Sequence, residues 1–456
     1  MRKTNFWSKT TLPVGIMTLA LTMSSCGSSD YKQYDDEAKQ VASIIRENGC
    51  LSCHAENAPV PFYGSFPVIG SVVKADMEEG TRYLDLTAMV DALENGKPVS
   101  EVDLAKVENT ALSGSMPPAK YSVVHWGTSL NDEEKAVIIS WAKKTRKNQF
   151  TSPTVAQEFE NEPVQPLMES IPTDPAKVAL GFALYNDTRL SADNSVSCAT
   201  CHGLNTAGVD RKQYSEGIKG QLGGVNAPTV FNAALNCLQF WDGRAADLKE
   251  QAAGPPLNPV EMGSASFDEI CAKLAEDKEF SKQFLAVYPE GLSQSTVTDA
   301  IAEFEKTLLT PSRFDKYLRG DKSALTAEEL EGYQLFKDNK CATCHVGMNL
   351  GGQSFEYMGI KNNYFDKRNT GLTDGDNGRF AFTGKESDRH KFKTPTLRNV
   401  MLTYPYMHDG TVATIEEAIQ IMQQFQSGKG LSAAETAKMV AFLKTLTGEY
   451  NGSLLQ

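Results

Sequence analysis

Three five-residue stretches concentrate the side chains capable of redox chemistry: Cys50-Leu51-Ser52-Cys53-His54, Cys198-Ala199-Thr200-Cys201-His202 and Cys341-Ala342-Thr343-Cys344-His345. Two cysteines three apart let both thiols add to the vinyl groups of one haem on a single helical turn. The histidine that follows at once then sits under the iron as its proximal ligand. A zinc site built from such cysteine pairs normally recurs as two closely spaced halves. Here the pairs lie about 140 residues apart and each brings its own histidine, so zinc is set aside. The expectation is three covalently bound haem c groups, with His54, His202 and His345 as iron ligands.

Attachment of haem c takes place outside the cytoplasm, and the N-terminus agrees. Arg2, Lys3 and Lys9 precede a mostly apolar run from Leu12 to Met23 that is too short to span a membrane. Residues 1–25 thus read as an export signal. The stretch Met23-Ser24-Ser25-Cys26-Gly27 resembles a lipoprotein cleavage site, with Cys26 as the lipidated residue that tethers a periplasmic protein to a membrane face. Six cysteines in the motifs and one at the lipid site leave Cys237 and Cys271, which spacing alone neither pairs nor separates. The formal net charge of −12 becomes −15 without the three leader cations, which excludes a nucleic-acid binder and favours a basic redox partner.

The elements that must position these motifs are mainly helical. Residues 26–147 form a first haem domain: a helical stretch from Tyr34 to Arg46 runs into the Cys50 motif, and a closing helix opens at Leu130-Asn131-Asp132-Glu133-Glu134, with Ala136, Val137, Ile139 and Trp141 as its expected buried face. Between them, Ser115-Met116-Pro117-Pro118 lies where single-haem cytochromes c place their sixth ligand. Met116 is the first choice for that role and His125 the rival. Residues 148–175 carry five prolines and several glutamates without a period, a composition that does not bury a core and reads as an extended linker on which the first domain moves.

From about residue 176 onward the chain resembles the bacterial dihaem cytochrome c peroxidases. The resemblance is carried by Asn226-Ala227-Pro228-Thr229-Val230-Phe231-Asn232, by Gln239-Phe240-Trp241-Asp242-Gly243-Arg244, and by Gln251, Gly254-Pro255, Asn258-Pro259 and Glu261-Met262. It continues through Phe392-Lys393-Thr394-Pro395-Thr396-Leu397-Arg398-Asn399 and Tyr404-Pro405-Tyr406-Met407-His408-Asp409-Gly410. More diffusely, Pro59 to Leu86 is similar to haem-binding domains fused to larger redox enzymes. The resemblance implies two cytochrome c-like domains packed face to face, residues 176–320 holding the peroxidatic haem and residues 321–456 the haem that feeds it.

The same resemblance implies the site residues. Peroxide cleavage needs an open iron position and a group that takes a proton from one peroxide oxygen and returns it to the other, for which the family's candidate is Glu261, with Gln251 as a neutral donor beside it. The electron-transfer haem must be sealed, and Met422, fourteen residues after His408, lies where the family places that ligand, with Met407 and Met348 as near alternatives and His408 as a supporting residue. Trp241 would lie between the two haems. A calcium ion at the domain interface would be held by the Asn226 side chain and the carbonyls of Thr403 and Pro405.

One position departs from the family. Many members carry a histidine after the peroxidatic motif that caps the resting iron, and Ile218 stands there in this chain. The expectation is a peroxidatic site open at rest. A tri-haem hydrogen peroxide reductase leads. A non-catalytic multihaem carrier and a protein-oxidising enzyme of the methylamine-utilisation type are the alternatives, and Met422 speaks against the last, which uses a tyrosine there. The donor is a quinol or a small cytochrome c or cupredoxin, and a homodimer is compatible with the dihaem relatives.

Overall fold

The computed structural model describes residues 30–118, 129–368 and 370–456; the leader with Cys26, and His125, lie outside them. The described chain is mainly helical, and its strands are two short antiparallel pairs, Phe355–Tyr357 (β1) with Lys391–Lys393 (β2) and Glu449–Tyr450 (β3) with Ser453–Leu454 (β4). Three cytochrome c-like helical units follow one another along the chain.

The first unit contains α1 (Glu37–Glu47), α2 (Pro67–Tyr83), α3 (Thr87–Glu94), α4 (Glu101–Ser113) and α5 (Asp132–Gln149). Asp36 caps α1 by accepting from the Ala38 amide, which satisfies one of the donors that a helix start leaves free. The helix buries Val41, Ala42, Ile44 and Ile45 and ends just before Gly49, whose φ of +66° turns the chain into the Cys50 motif. A reciprocal Asn131–Glu134 cap opens α5. Its buried stripe is Glu134, Ile138, Trp141, Ala142 and Arg146, so of the four expected residues only Trp141 is fully buried; Ala136 is exposed, and Val137 and Ile139 are half-buried. Apolarity misled because two polar residues go inside with partners: Glu134 accepts from Asn48, and Arg146 makes a two-pronged bond to Glu108.

Residues 148–175 are extended but are not a free tether. Val164, Gln165 and Leu167 are wholly buried, and Val164 pairs with Gly347 as a parallel bridge. The Leu167 amide donates to the Asp315 carboxylate at 2.7 Å, and Arg319 donates to the Leu167 carbonyl at the same distance. The compositional expectation of a mobile linker therefore fails. The segment builds no core of its own but is buried by its neighbours, which satisfy its backbone.

The second unit contains α6 (Pro175–Tyr185), α7 (Leu248–Leu257), α8 (Phe267–Glu276), α9 (Lys278–Val287) and α10 (Gln294–Glu305); the third contains α11 (Ala327–Asp338), α12 (Ile415–Met422) and α13 (Ala433–Lys444). Both are built on one crossing, in which the helix preceding the haem motif lies directly on a later helix. A Cβ on Gly181 would come within 1.9 Å of the Ala300 carbonyl oxygen, and one on Gly332 within 2.0 Å of the Lys438 carbonyl oxygen. In each case a phenylalanine four residues beyond that carbonyl, Phe304 or Phe442, closes the crossing. The second and third units are thus structural repeats. Arg398 and Asp315, both fully buried, make a two-pronged pair at 2.9 Å that ties the third unit to the segment before it.

The first unit is seated on the third. Val102 and Ala105 of α4 pack on Val346, and Lys106 reaches Glu356 of β1 at 2.8 and 2.9 Å, with only 3% and 12% of the two side chains exposed. Glu101 is half-buried against Gly347, and one of its carboxylate oxygens is buried with no hydrogen bond among the described residues. Burial pushes its carboxyl up to about 8, against the opposing pull of Arg146. Between its ordinary 4.5 and about 8 the folded chain keeps a proton that the unfolded chain releases, so stability falls as pH rises through that window and levels off above it. Glu101→Gln is expected to match the wild-type urea midpoint near the bottom of the window and to exceed it increasingly up to the top. A difference that stays constant across pH contradicts this account of Glu101.

Candidate active site

Each of the three motif histidines is held by a backbone carbonyl at Nδ1: His54 by Leu84 at 2.9 Å, His202 by Gly208 at 3.2 Å and His345 by Leu350 at 3.0 Å. A proton fixed on Nδ1 leaves the lone pair on Nε2, the form that binds a metal. Burial pushes all three imidazoles below their ordinary pKa, so they stay neutral. The six motif cysteines are unpaired; burial pushes Cys50 up to about 11 and Cys198, Cys341 and Cys344 up to about 12. Neutral, oriented imidazoles beside protonated thiol pairs fit covalently attached haem at all three places. Cys237 and Cys271 are also free: Cys237 is exposed, and Cys271 is half-buried on α8.

The loops beneath the second and third motifs repeat each other. Pro228-Thr229-Val230-Phe231-Asn232 and Pro395-Thr396-Leu397-Arg398-Asn399 each use the threonine hydroxyl to hold the loop after a motif, through the carbonyls of Ala207 and Asn349 at 2.7 Å. Asn232 and Asn399 share a φ of +61° and donate their amides to Leu308 and Leu446. The recurring Pro-Thr-x-x-Asn spacing is the sequence signal for this repeat, visible only when the two strings are aligned with each other.

Next to the second motif, α7 ends at Asn258, and the turn that follows carries Glu261. Asn258 donates to the Glu261 carboxylate at 2.7 Å. Burial raises the Glu261 pKa, while Arg244 and the Asn258 hydrogen bond pull the other way, and the upward direction prevails. The Ile218 amide donates to the Glu261 carbonyl at 2.9 Å, and the buried Ile218 side chain packs on Gly263. This hydrocarbon offers no lone pair to a metal. Arg244 lies 3.5 Å over the Phe240 ring and pairs with Asp242. Gln251 sits half-buried on α7, and no hydrogen bond joins its side chain to Glu261 among the described residues.

Trp241 bridges the second and third units. Its indole donates to the Asn226 carbonyl at 2.8 Å, its own carbonyl accepts from Lys393 of β2, and its ring meets Phe392 edge-on at 6.5 Å. Phe392 in turn stacks on His408 at 4.1 Å. The His408 Nε2 is engaged by Asp376 at 2.8 Å, which suits a residue that supports a site without ligating iron. Asp376, His408 and Asp409 cluster closely, but Arg368 reaches both carboxylates at 2.6 to 2.7 Å and occupies the place a cation would take. Burial alone would raise Asp376, yet the hydrogen bonds from Arg368 and His408 hold it well below the usual carboxylate range.

Asn226 is buried and donates its side-chain amide to the Lys212 and Gln213 carbonyls, so its oxygen faces away from them. No hydrogen bond claims that oxygen or the carbonyls of Thr403 and Pro405 among the described residues. Three unclaimed neutral oxygens are donors of the kind a hard cation takes. Met422 closes α12 half-buried, and the wider turn after it brings Gln423 to the Cys341 sulfur at 3.6 Å. Met407 and Met348 are half-buried too, and Met348 gives its carbonyl to Arg398. Met116 is half-buried beyond α4.

Comparison with known proteins follows the same division. Residues 175–323 match the family model for di-haem cytochrome c peroxidase, residues 16–144 that for a haem-binding domain and residues 330–447 that for cytochrome c. The cytochrome c peroxidase Ccp of Escherichia coli (strain K12) is 50% identical over 416 residues, covering 91% of this chain and 89% of that protein. The cytochrome c551 peroxidase of Nitrosomonas europaea is 47% identical over 292 residues, 63% of this chain and 85% of the relative. Among solved structures, a MauG-like protein associated with microbial copper homeostasis superposes with a TM-score of 0.56 at 31% identity, covering 62% of this chain and 95% of that one.

The Asn258 contact makes a direct prediction about Glu261. Because that hydrogen bond lowers the carboxyl pKa, Asn258→Ala is expected to move the Glu261 protonation midpoint to higher pH. Infrared titration can follow it, with the band assigned by its loss in Glu261→Gln; a midpoint that stays put or moves down contradicts the geometry.

Proposed function

The chain belongs to the di-haem cytochrome c peroxidase family and is an enzyme of that class, and from this premise we propose that it is a tri-haem peroxidase that reduces hydrogen peroxide to water in the periplasm. Haem held by Cys198, Cys201 and His202 would supply the iron chemistry for peroxide, and haem at the other two motifs would supply further redox couples. Each turnover consumes two electrons and two protons and cleaves the O–O bond. Electrons enter through residues 26–147, pass to residues 321–456 and reach residues 176–320, with Cys26 as a lipid tether and a quinol, small cytochrome c or cupredoxin as donor.

What carries this reading is the environment of Glu261: a carboxyl raised by burial, held by Asn258, on a loop whose neighbour Ile218 has no ligating atom. Such a group can take the proton from the near peroxide oxygen and hand it to the departing one. Gln251 is assigned a neutral hydrogen bond to the bound peroxide. Met422 would seal the electron-transfer site, in keeping with the placement of its helix end against Cys341. Trp241 would conduct between the last two units. A calcium ion on Asn226, Thr403 and Pro405 would stiffen the interface that Trp241 crosses.

Glu261→Gln is expected to lower kcat for hydrogen peroxide by about 10² to 10⁴, the usual worth of a positioned acid-base group, with all three haems retained. A fully loaded variant that turns over at the wild-type rate overturns the assignment.

A further inference from the structure

The contact between the first and third units contains one stretch that touches both haem motifs. At the C-terminal end of α2 the chain runs Tyr83-Leu84-Asp85-Leu86. The Leu84 carbonyl holds the His54 imidazole at 2.9 Å, and the Leu86 amide donates to the His54 carbonyl at 2.8 Å. One turn earlier Gly80 lies so close to the first motif that a Cβ there would come within 2.8 Å of the Cys53 carbonyl oxygen. The residue next to Leu84 faces the other way: Tyr83 is buried on the side of the third unit, where Thr343 and Cys344 both influence its hydroxyl. The Thr343 hydroxyl lies 3.8 Å from the Cys344 sulfur.

Tyr83 is also pinned. Lys106 donates to its carbonyl at 2.7 Å, and the ammonium lies 5.1 Å from the ring centroid, while the same ammonium makes the buried pair with Glu356 of the third unit. One cation thus fixes Tyr83 and locks the two units together. Without the ammonium, Glu356 would be left as an uncompensated charge in that buried place.

We propose that Tyr83 is the electron bridge between the first and third units and that Lys106, by pairing with Glu356, is the positioning residue that holds the bridge closed. The inference rests on the relay proposed above. With haem bound at both motifs, His54, the Leu84 peptide and the Tyr83 side chain would form the path along which an electron passes from the first unit to Thr343 and Cys344 of the third. Tyr83 is neither oxidised nor reduced overall, and peroxide is the final oxidant. Residues 148–175 then serve as a packed strut, because a carrier that must stay on its bridge has no use for a swinging arm.

The experiment uses the full haem-loaded chain, reduced in all units and mixed rapidly with hydrogen peroxide, and follows oxidation of the first unit's haem by its absorbance in wild type, Tyr83→Phe, Tyr83→Leu and Lys106→Met. Midpoint potentials and limited proteolysis within residues 148–175 are measured alongside. Tyr83→Phe, which keeps the ring and removes only the hydroxyl, is expected to slow oxidation of the first unit severalfold, and Tyr83→Leu further, with potentials and protease resistance as in wild type. Lys106→Met is expected to slow it and also to raise cleavage of residues 148–175 by about a hundredfold, the open population released when a buried charge loses its partner. Wild-type rates in both Tyr83 variants overturn the bridge. Should Tyr83→Leu loosen the docking, Tyr83→Phe alone decides. If the first unit of the wild type is not oxidised by peroxide at all, the relay itself fails, an outcome distinct from failure of Tyr83.

Discussion

Three imidazoles each fixed at Nδ1 by a backbone carbonyl are the constraint on which the rest depends. The carbonyls of Leu84, Gly208 and Leu350 belong to three different loops, and each loop is held in turn by the packing of its own unit. Move a loop, and the imidazole rotates away from the direction that a proximal ligand needs. This is why so much of the buried polar structure lies behind the histidines. The Thr229 and Thr396 hydroxyls, the left-handed Asn232 and Asn399, and the buried Arg398–Asp315 pair all stiffen these loops.

The units differ in the side chains they bring near their motifs. The second unit presents a raised carboxyl and an isoleucine, while the third presents the end of α12 with Met422 and a glutamine already on the Cys341 sulfur. Trp241 touches both units through hydrogen bonds at each end, so the distance between their sites is set by the fold and not by a flexible loop. The buried Lys106–Glu356 pair does the same for the first unit. The molecule is organised as a fixed series of sites, each held to the next by buried polar contacts.

The haem motifs and the helical class were legible in the sequence because covalent attachment demands invariant spacing. Glu261 and Trp241 were singled out only through family resemblance, since an acid after Asn-Pro and a tryptophan before Asp-Gly carry no distinctive period. The seating of the first unit was hidden for a physical reason. Lys106 and Glu356 are 250 residues apart, and each alone reads as a solvated surface charge. The strut at 148–175 was misjudged for a related reason: composition reports whether a segment can build a core, and says nothing of whether neighbours will bury it. The stripe of α5 shows the same blindness on a smaller scale, where Glu134 and Arg146 are inside because Asn48 and Glu108 meet them.

The central claim is that one site of three stays open to a small ligand while the other two are sealed by the protein. Titrating the fully reduced, fully loaded chain with carbon monoxide tests it most directly, because the gas binds only iron with a free position. One molecule bound per chain, at the site of His202, is the result expected. Binding of none, or uptake at the sites of His54 or His345, would contradict it.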